Sequence, residues 1–471
     1  MKLYKYIFLI FLGATVACDD LLEIEPEGEI IADEALQNPQ DMQDLLNSAY
    51  DALRGEGGDF LGGRIQSISE VMADNIDGSL NNLNNADFRS FYDKTTSFFT
   101  GYTQNMFDEP YFVIYRANVL LENLEVLEAG SDNARRIEGE AKFLRALCHF
   151  ELIRLFAQPY GFTPDNTHLG VVLRTEASAE SRDRNTVGEV YAQIVQDLEE
   201  AVGLLPQSNG VYADTWAARA YLAKVHFHRH DFRQAYDLAD DVLTQGPYQF
   251  NTSADEYTER FSQAGSQESI FFMISTGVDD HRGTQFSTHF RSDAEDPPTL
   301  RIAPQFHSMA TSDPNDLRES WYTIENEGQE NQAISITKYD GIDFFNLPLL
   351  HVTELKFIRA EAGAELGGAT ELAVAIQDLN DIRSRAGLST IPGTTAAGVL
   401  LDNVREEKRL ELVAEGQRFH DLRRRGANGE NNLLIRGSAW DCPGMSVQFP
   451  DTEIAGAGGV EVFTPNPEGG C

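Results

Sequence analysis

Apolar residues recur every three or four positions over most of this chain, and the stretches that break the rhythm are long and gathered in three places. Such spacing lines one face of an α-helix. It predicts a helix over 39–53, with Leu45, Leu46, Ala49 and Leu53 on the inner face, and others over 111–127 and 134–156. The next covers 187–205, with Thr186 as N-cap and Glu189 at the capping-box position. It pairs with a helical stretch over 216–243, and a further pair fits 353–386, turning at Gly367-Gly368. Leu222-Ala223, Ala235, Ala239 and Pro247 match the spacing of the tetratricopeptide pattern, in which small residues let paired helices approach closely. The match is partial, because His226 replaces that pattern's Tyr, Ala239 its Phe and Ala223 its Gly. Three or four stacked pairs make a solenoid segment, an architecture that mostly binds other molecules.

The rhythm lapses where Gly, Asn, Asp, Pro and aromatic residues accumulate, and such segments read as loops on a scaffold. One short strand candidate, SIFFMIST at 269–276, lies in the second lapse. The expected fold is therefore mainly α, with helix pairs forming a scaffold that carries large irregular insertions and short strands. The scaffold falls in 39–54, 111–250 and 353–426, and the insertions in 55–110 and 251–352 with a tail over 427–471.

Charge changes the picture most in VREEKRLELVAEGQRFHDLRRRG, residues 404–426. Glu407, Glu411 and Glu415 stand one helical turn apart, and like charges at that spacing repel. They need partners from elsewhere. Val404, Leu410, Val413 and Phe419 can pack on one face, while Arg405, Arg409, Arg418, Arg423 and Arg424 can bridge to neighbouring elements. A structural ion-pair network in a helical protein is expected. Overall, 75 acidic residues against 37 basic ones give a formal charge of −38. That surplus argues against nucleic acid, which needs Lys and Arg against its phosphates, and disfavours anionic polysaccharides.

At the start of the chain, Lys2 and Lys5 flank an apolar run over 6–16, far short of the ~20 residues that span a bilayer. It reads as a leader over 1–17, with Ala17-Cys18 as the small residue and thiol of a lipoprotein cleavage site. Acyl chains on Cys18 would anchor a mature domain over 18–471 to a membrane; an ordinary secretory leader with an incidental cysteine is the alternative. Cys148 falls among apolar residues and reads as a small core residue. Cys442 and Cys471 can pair in an oxidising compartment, or remain free thiols.

Catalytic signatures are missing: the chain has no GxSxG, HExxH, P-loop or CxxC. Paired carboxylates mean nothing in so acidic a chain. His226 and His230 can share a helix face and hold a metal, or form a helix-end polar pair; no third ligand is apparent. The oxygen ligands of DNIDG, 74–78, lack EF-hand spacing for calcium. Sugar recognition needs flat apolar faces to stack on pyranose rings and planar polar groups for vicinal hydroxyls. Aromatics in the irregular segments are the ones to examine: Phe88, Phe91, Tyr92, Phe98, Phe99 and Tyr102, with Arg89 and Asn105, and then Trp321, Tyr322, Phe344 and Phe345. The same rings can instead pack the loops onto the scaffold. Trp216 reads as core, and Trp440 fits either place.

The order of several segments resembles the SusD/RagB family, surface lipoproteins of Bacteroidetes that capture glycans for an outer-membrane transporter. The segments are CDDLLEIEP from Cys18, SEVMADN at 69–75, YFVIYRANVLLENLE at 111–125, EAKFLRALCHFELIRLFA, LNDIRSRAGL, the 404–426 stretch, and FPDTEI from Phe449. The resemblance implies a tetratricopeptide-like frame meeting a SusC-like TonB-dependent barrel, with the insertions as an outward ligand surface. Asp19 and Asp20 resemble the signal for export to the outer face of the outer membrane. It implies a non-enzymatic binder of a neutral oligosaccharide, or of a peptide or other nutrient, with no cofactor and no metal. The candidate ligand residues are Asp74, Asn75, Arg89, Phe98, Phe99, Tyr102, Asn105, Trp321 and Tyr322. Phe stands where tryptophans often stand in glycan-binding members. A structural lid or assembly scaffold for the transporter is the rival reading.

Overall fold

A computed structural model of the chain describes residues 36–79, 82–178, 180–253, 259–261, 266–274, 289–292, 298–340, 345–455 and 463–471. The leader, Cys18, the acidic pair behind it and Phe344 lie outside these residues.

Helix α1 (Pro39–Ala52) opens on a capping box in which Asn38 and Asp41 satisfy each other's backbone N–H groups. The first lapse in rhythm is not all loop. It contains α2 (Arg64–Met72), enclosed on nearly every side, and α3 (Ala86–Tyr92), capped by Asn85. Both are too short for apolar spacing to stand out among the surrounding Gly and Asn. Next comes α4 (Thr103–Glu122), which runs through Pro110 rather than starting after it. Proline is expected at a helix start because it lacks the N–H and crowds the preceding turn, so the first two turns were hidden. Then α5 (Asp132–Phe156) is capped by Ser131, and α6 (Val187–Leu204) by the expected Thr186–Glu189 box.

The stretch over 216–243, expected as one partner of 187–205, is itself two helices, α7 (Thr215–His228) and α8 (Phe232–Gln245), divided at His230, whose φ is 64°. Ala235 and Ala239 are fully buried at the contact between the two helices. Among the described residues the second insertion contains strand β1 (Ser269–Met273), helix α9 (Pro304–Ala310), the hairpin of β2 (Tyr322–Glu325) and β3 (Ala333–Ile336), and β4 (Leu347–His351). β4 returns antiparallel to β1, and feeds α10 (Val352–Leu366). A left-handed Gly367 then leads into α11 (Ala369–Arg385). Consecutive helices pack from α4 to α8, α8 packs on α10, and α10 on α11, so the expected stack of helical hairpins is present. Trp216 lies in its core.

The 404–426 stretch is two helices. α12 (Ala397–Glu411) stops, and α13 (Arg418–Ala427) starts after a tight loop in which Ala414 and Gly416 have φ of 63° and 79°. The loop's carbonyls are recruited. Lys338 Nζ donates to the carbonyls of Glu411 at 3.0 Å and Val413 at 3.3 Å, and Tyr339 donates its hydroxyl to Ala414 at 2.8 Å. Gly416 is needed twice over: its φ favours glycine, and a Cβ there would lie 2.6 Å from Gln66 Cα. In the tail, Trp440 packs flat on Gly426, where a Cβ would fall 2.2 Å from the indole, so it belongs to the core. Cys442 and Cys471 are disulfide-bonded with Cα atoms 5.5 Å apart, and Cys148 is free and buried. Among the described residues of the tail the last helix is α14 (Asp451–Ala455).

Candidate functional site

The three glutamates of the charged stretch find partners from distant elements. Glu407 meets Arg318 at 2.5 Å and Arg383 at 2.8 Å; Glu411 meets Arg385 at 2.7 Å and Arg260 at 3.0 Å; Glu415 meets Lys338 and, at 2.9 Å, His351. Burial alone raises a carboxyl, yet Arg385, Arg260 and Arg318 hold Glu411 down at about 2. Glu361 is likewise held at about 2 against burial by Arg424, Lys408 and Arg405. Among the described residues Arg423 is the one bridging arginine that meets no acid; it donates to the carbonyls of Arg154 at 3.1 Å and Ala157 at 2.9 Å. This network is a floor that ties the second insertion, through Arg260, Arg318, Lys338 and His351, to α11, α12 and the loop after it.

Asp74 and Asn75 belong to that floor. Asp74 accepts from Arg418 at 2.9 Å and meets Arg409 at 3.1 Å, while Asn75, fully buried, accepts from Arg409 Nε at 2.9 Å. Burial works against ionised Asp74, but the two arginines hold its carboxyl below the usual range. The pair therefore fastens the start of a loop to α12 and α13, and Asp74 spends its oxygens on arginine rather than on a metal. His226 bonds Asp231 at 3.2 Å and His230 bonds the Arg424 carbonyl at 3.1 Å, so the two rings serve different partners.

Tyr102 and Asn105 are brought together at the head of α4. The Arg64 guanidinium lies 3.8 Å from the Tyr102 ring centroid, with Phe88 at 5.4 Å from the same ring. Asp59 links the group: it accepts from Arg64 Nε at 2.9 Å and from the Asn105 amide at 2.7 Å. Below them Ser67 and His289 share a 2.7 Å hydrogen bond. Burial and Arg64 push the imidazole down to about 3, and Ser67 is sealed from solvent, so the pair braces the site and offers no nucleophile. Asp59, Arg64 and His289 escaped the sequence reading, whose only signal was an arginine beside an apolar run.

Phe98 is half-buried, and Phe99 beside it is 80% exposed. Their loop is clamped by the tail: Lys94 Nζ donates to the Ile435 carbonyl at 3.0 Å, Gln448 N to Thr96 Oγ1 at 3.0 Å, and Asp451 N to the Phe98 carbonyl at 3.2 Å. Arg89 donates to the Leu83 carbonyl at 2.9 Å and lies over Tyr92. Trp321 and Tyr322 stand in another set of contacts. Trp321 is 3% exposed, its ring capped by the Lys338 ammonium at 4.5 Å, and so packs as core and offers no open face. Tyr322 is half-buried against His307 at 5.2 Å. Phe345, Phe91 and Phe88 are buried. What remains is an exposed ring, Phe99, and, three to six positions further along the chain, a tyrosine and an amide held in place by Arg64 and Asp59. Such a group can stack on a sugar face and donate to hydroxyls.

A family model described as "Starch-binding associating with outer membrane" matches residues 20–227, and one described as "SusD family" matches 312–438. The SusD-like protein P38 of Formosa agariphila is 25% identical over 493 aligned positions, covering 90% of this chain and 92% of that protein. The SusD-like protein P2 of the same organism is 23% identical, covering 90% and 91%. Among solved structures, a SusD superfamily protein from Bacteroides vulgatus superposes with a TM-score of 0.78 at 24% identity, covering 92% of this chain and 99% of that one. A laminarin-binding SusD-like protein superposes at 0.70 with 22% identity, covering 92% and 99%. With two models of one kindred meeting both ends of the scaffold, and the same fold along nearly the whole length, the chain belongs to the SusD family.

Proposed function

We propose that the protein captures a neutral oligosaccharide at the outer cell surface, without cleaving it, and hands it to a SusC-like TonB-dependent transporter. The observation that carries this reading is the open ring of Phe99 in the loop that leads into a braced helix start, where Arg64 and Asp59 position the Tyr102 phenol and the Asn105 amide. The acid surplus favours uncharged glycans. A β-glucan of the laminarin type is the first ligand to try, because a protein of the same fold binds laminarin. Attachment is through acyl chains on Cys18; among the described residues no helix is long and apolar enough to cross a membrane. Isothermal titration with laminarin oligosaccharides and a panel of neutral glycans and peptides tests the proposal. Phe99→Ala and Asn105→Ala should each weaken the best glycan by ~1 kcal/mol or more, the scale of one stacked ring or one hydrogen bond. Unchanged affinity in both variants, or new reducing ends on incubation with polysaccharide, would refute it.

A further inference from the structure

Beyond Asn105, the outer face of α4 borders a cleft of about 460 Å³. Asp108, Tyr111, Phe112 and Tyr115 form one wall; Arg174 and the neighbouring 172–178 segment form another, and Glu453 of α14 closes one side. The walls are largely apolar, and large rings stand open there: Phe112 is 56% and Tyr115 48% exposed. An uncovered aromatic surface of this kind marks a contact site.

The carboxylates of the cleft are short of partners. Asp108 takes one hydrogen bond, from Gln104 at 3.2 Å, and Glu453 takes none among the described residues. Burial raises both carboxyls, and Asp108 raises Glu453 further. The charged neighbours are Arg174, whose guanidinium reaches the Ser178 carbonyl at 3.4 Å, and Glu176, which is engaged by Arg182 at 3.3 Å. With Glu176 taken up by Arg182, Arg174 is left against two acids, Asp108 and Glu453. The Asn118 amide is spent on the carbonyls of Arg174 and Glu176, and Tyr111 donates its hydroxyl to the Val172 carbonyl at 2.8 Å, so the polar groups left open in the cleft are chiefly carboxylates, which ask for a donor and most strongly for a cationic one. A neutral glycan would leave the acid surplus unrelieved. A guanidinium or ammonium between apolar groups would relieve it and cover the rings, through charge-assisted hydrogen bonds and cation–π contact.

We propose that this cleft docks a polypeptide segment that carries an arginine or lysine between apolar side chains. Charge complementarity selects the cation, and length selects the polypeptide: Asp108 to Tyr115 spans two turns of α4, roughly 10 Å, which matches about three residues of extended chain. The cleft begins one helical turn along α4 from Asn105, and its test uses no glycan.

The probes are a blocked leucyl-arginyl-tyrosine tripeptide and its citrulline counterpart, which keeps the shape and loses the charge. Each is titrated into the purified chain by calorimetry, with saturation-transfer NMR as a second readout. The arginine peptide should bind about tenfold tighter than the citrulline one, the scale of one charge-assisted contact. The nearly isosteric Asp108→Asn/Glu453→Gln pair should abolish that preference, and Phe112→Ser should weaken both peptides. If the double variant loses its thermal transition, Asp108→Asn alone carries the test. Equal affinity for the two peptides, no binding of either, or a preference that survives the substitutions would overturn the proposal. Phenethylamine binding as tightly as the tripeptide would overturn it too, by making the cleft a site for small amines.

Discussion

At the scale of single residues, the same side-chain type does opposite work a few positions apart. Phe99 is open to solvent while Phe88 and Phe91 are buried, and nothing in their local sequence separates them. Trp321 shows the point most sharply, since an aromatic in a Pro- and Asp-rich stretch looked like a platform and proves to be capped by Lys338. Trp321→Ala should therefore cost ~3–5 kcal/mol of stability, as for a large buried ring, read as a fall in the denaturant midpoint. A variant that keeps its midpoint would count against the packing described. Glu70 makes a second case. Burial pushes its carboxyl up to about 7, opposed by a 2.8 Å hydrogen bond from the Gly416 N–H. Because the folded state prefers the neutral acid, this group's stabilisation is present below about pH 4.5 and is lost as pH rises through about 7. Glu70→Gln should be roughly 3 kcal/mol more stable than the parent at pH 8, from ~1.4 kcal/mol per pKa unit, and the gap should close towards pH 4.5. A pH-independent difference in urea midpoints would contradict this assignment.

At the scale of elements, helix existence was legible and helix ends were not always. The capping box at Thr186 and the left-handed turn at Gly367 fall where their residues direct, because caps are satisfied by neighbours in the chain. α2 and the first turns of α4 were lost among Gly, Asn and Pro110, and the division between α12 and α13 was read as continuous helix although Gly416 marks it. What closes that division is remote: Lys338 and Tyr339 take up the freed carbonyls, and Glu70 the Gly416 N–H. Gly416→Ala should cost more than about 1 kcal/mol, since the left-handed φ and the Gln66 backbone both oppose a Cβ. Calorimetric unfolding gives the number, and a neutral effect would mean the loop can refold around the methyl.

At the scale of the whole molecule, the tail and the first insertion form one unit. The backbone of 435–451 bonds the side chains of Lys94 and Thr96 and the carbonyl of Phe98, and Gly444 N donates to the Gly470 carbonyl at 3.3 Å near the Cys442–Cys471 bridge. Reduction should remove roughly 3–4 kcal/mol through the chain entropy of a loop of this length, and should loosen the loop that presents Phe99. Both effects are measurable in one sample, by denaturation with and without reductant and by glycan titration under the same conditions. Full glycan affinity after verified reduction would show that the clamp does not depend on the bridge.

The sequence by itself determined the helical frame and the need of Glu407, Glu411 and Glu415 for distant cations, because periodicity and like-charge spacing are written within a few residues of each other. It also carried the order of segments by which the family is recognised. Only the tertiary structure decided which aromatic rings stay open, that Asp74 and Asn75 fasten a loop, and that Asp59 and Arg64 assemble Tyr102 with Asn105. Those outcomes depend on groups tens to hundreds of positions apart, and exposure is a property of what packs against a side chain rather than of the side chain.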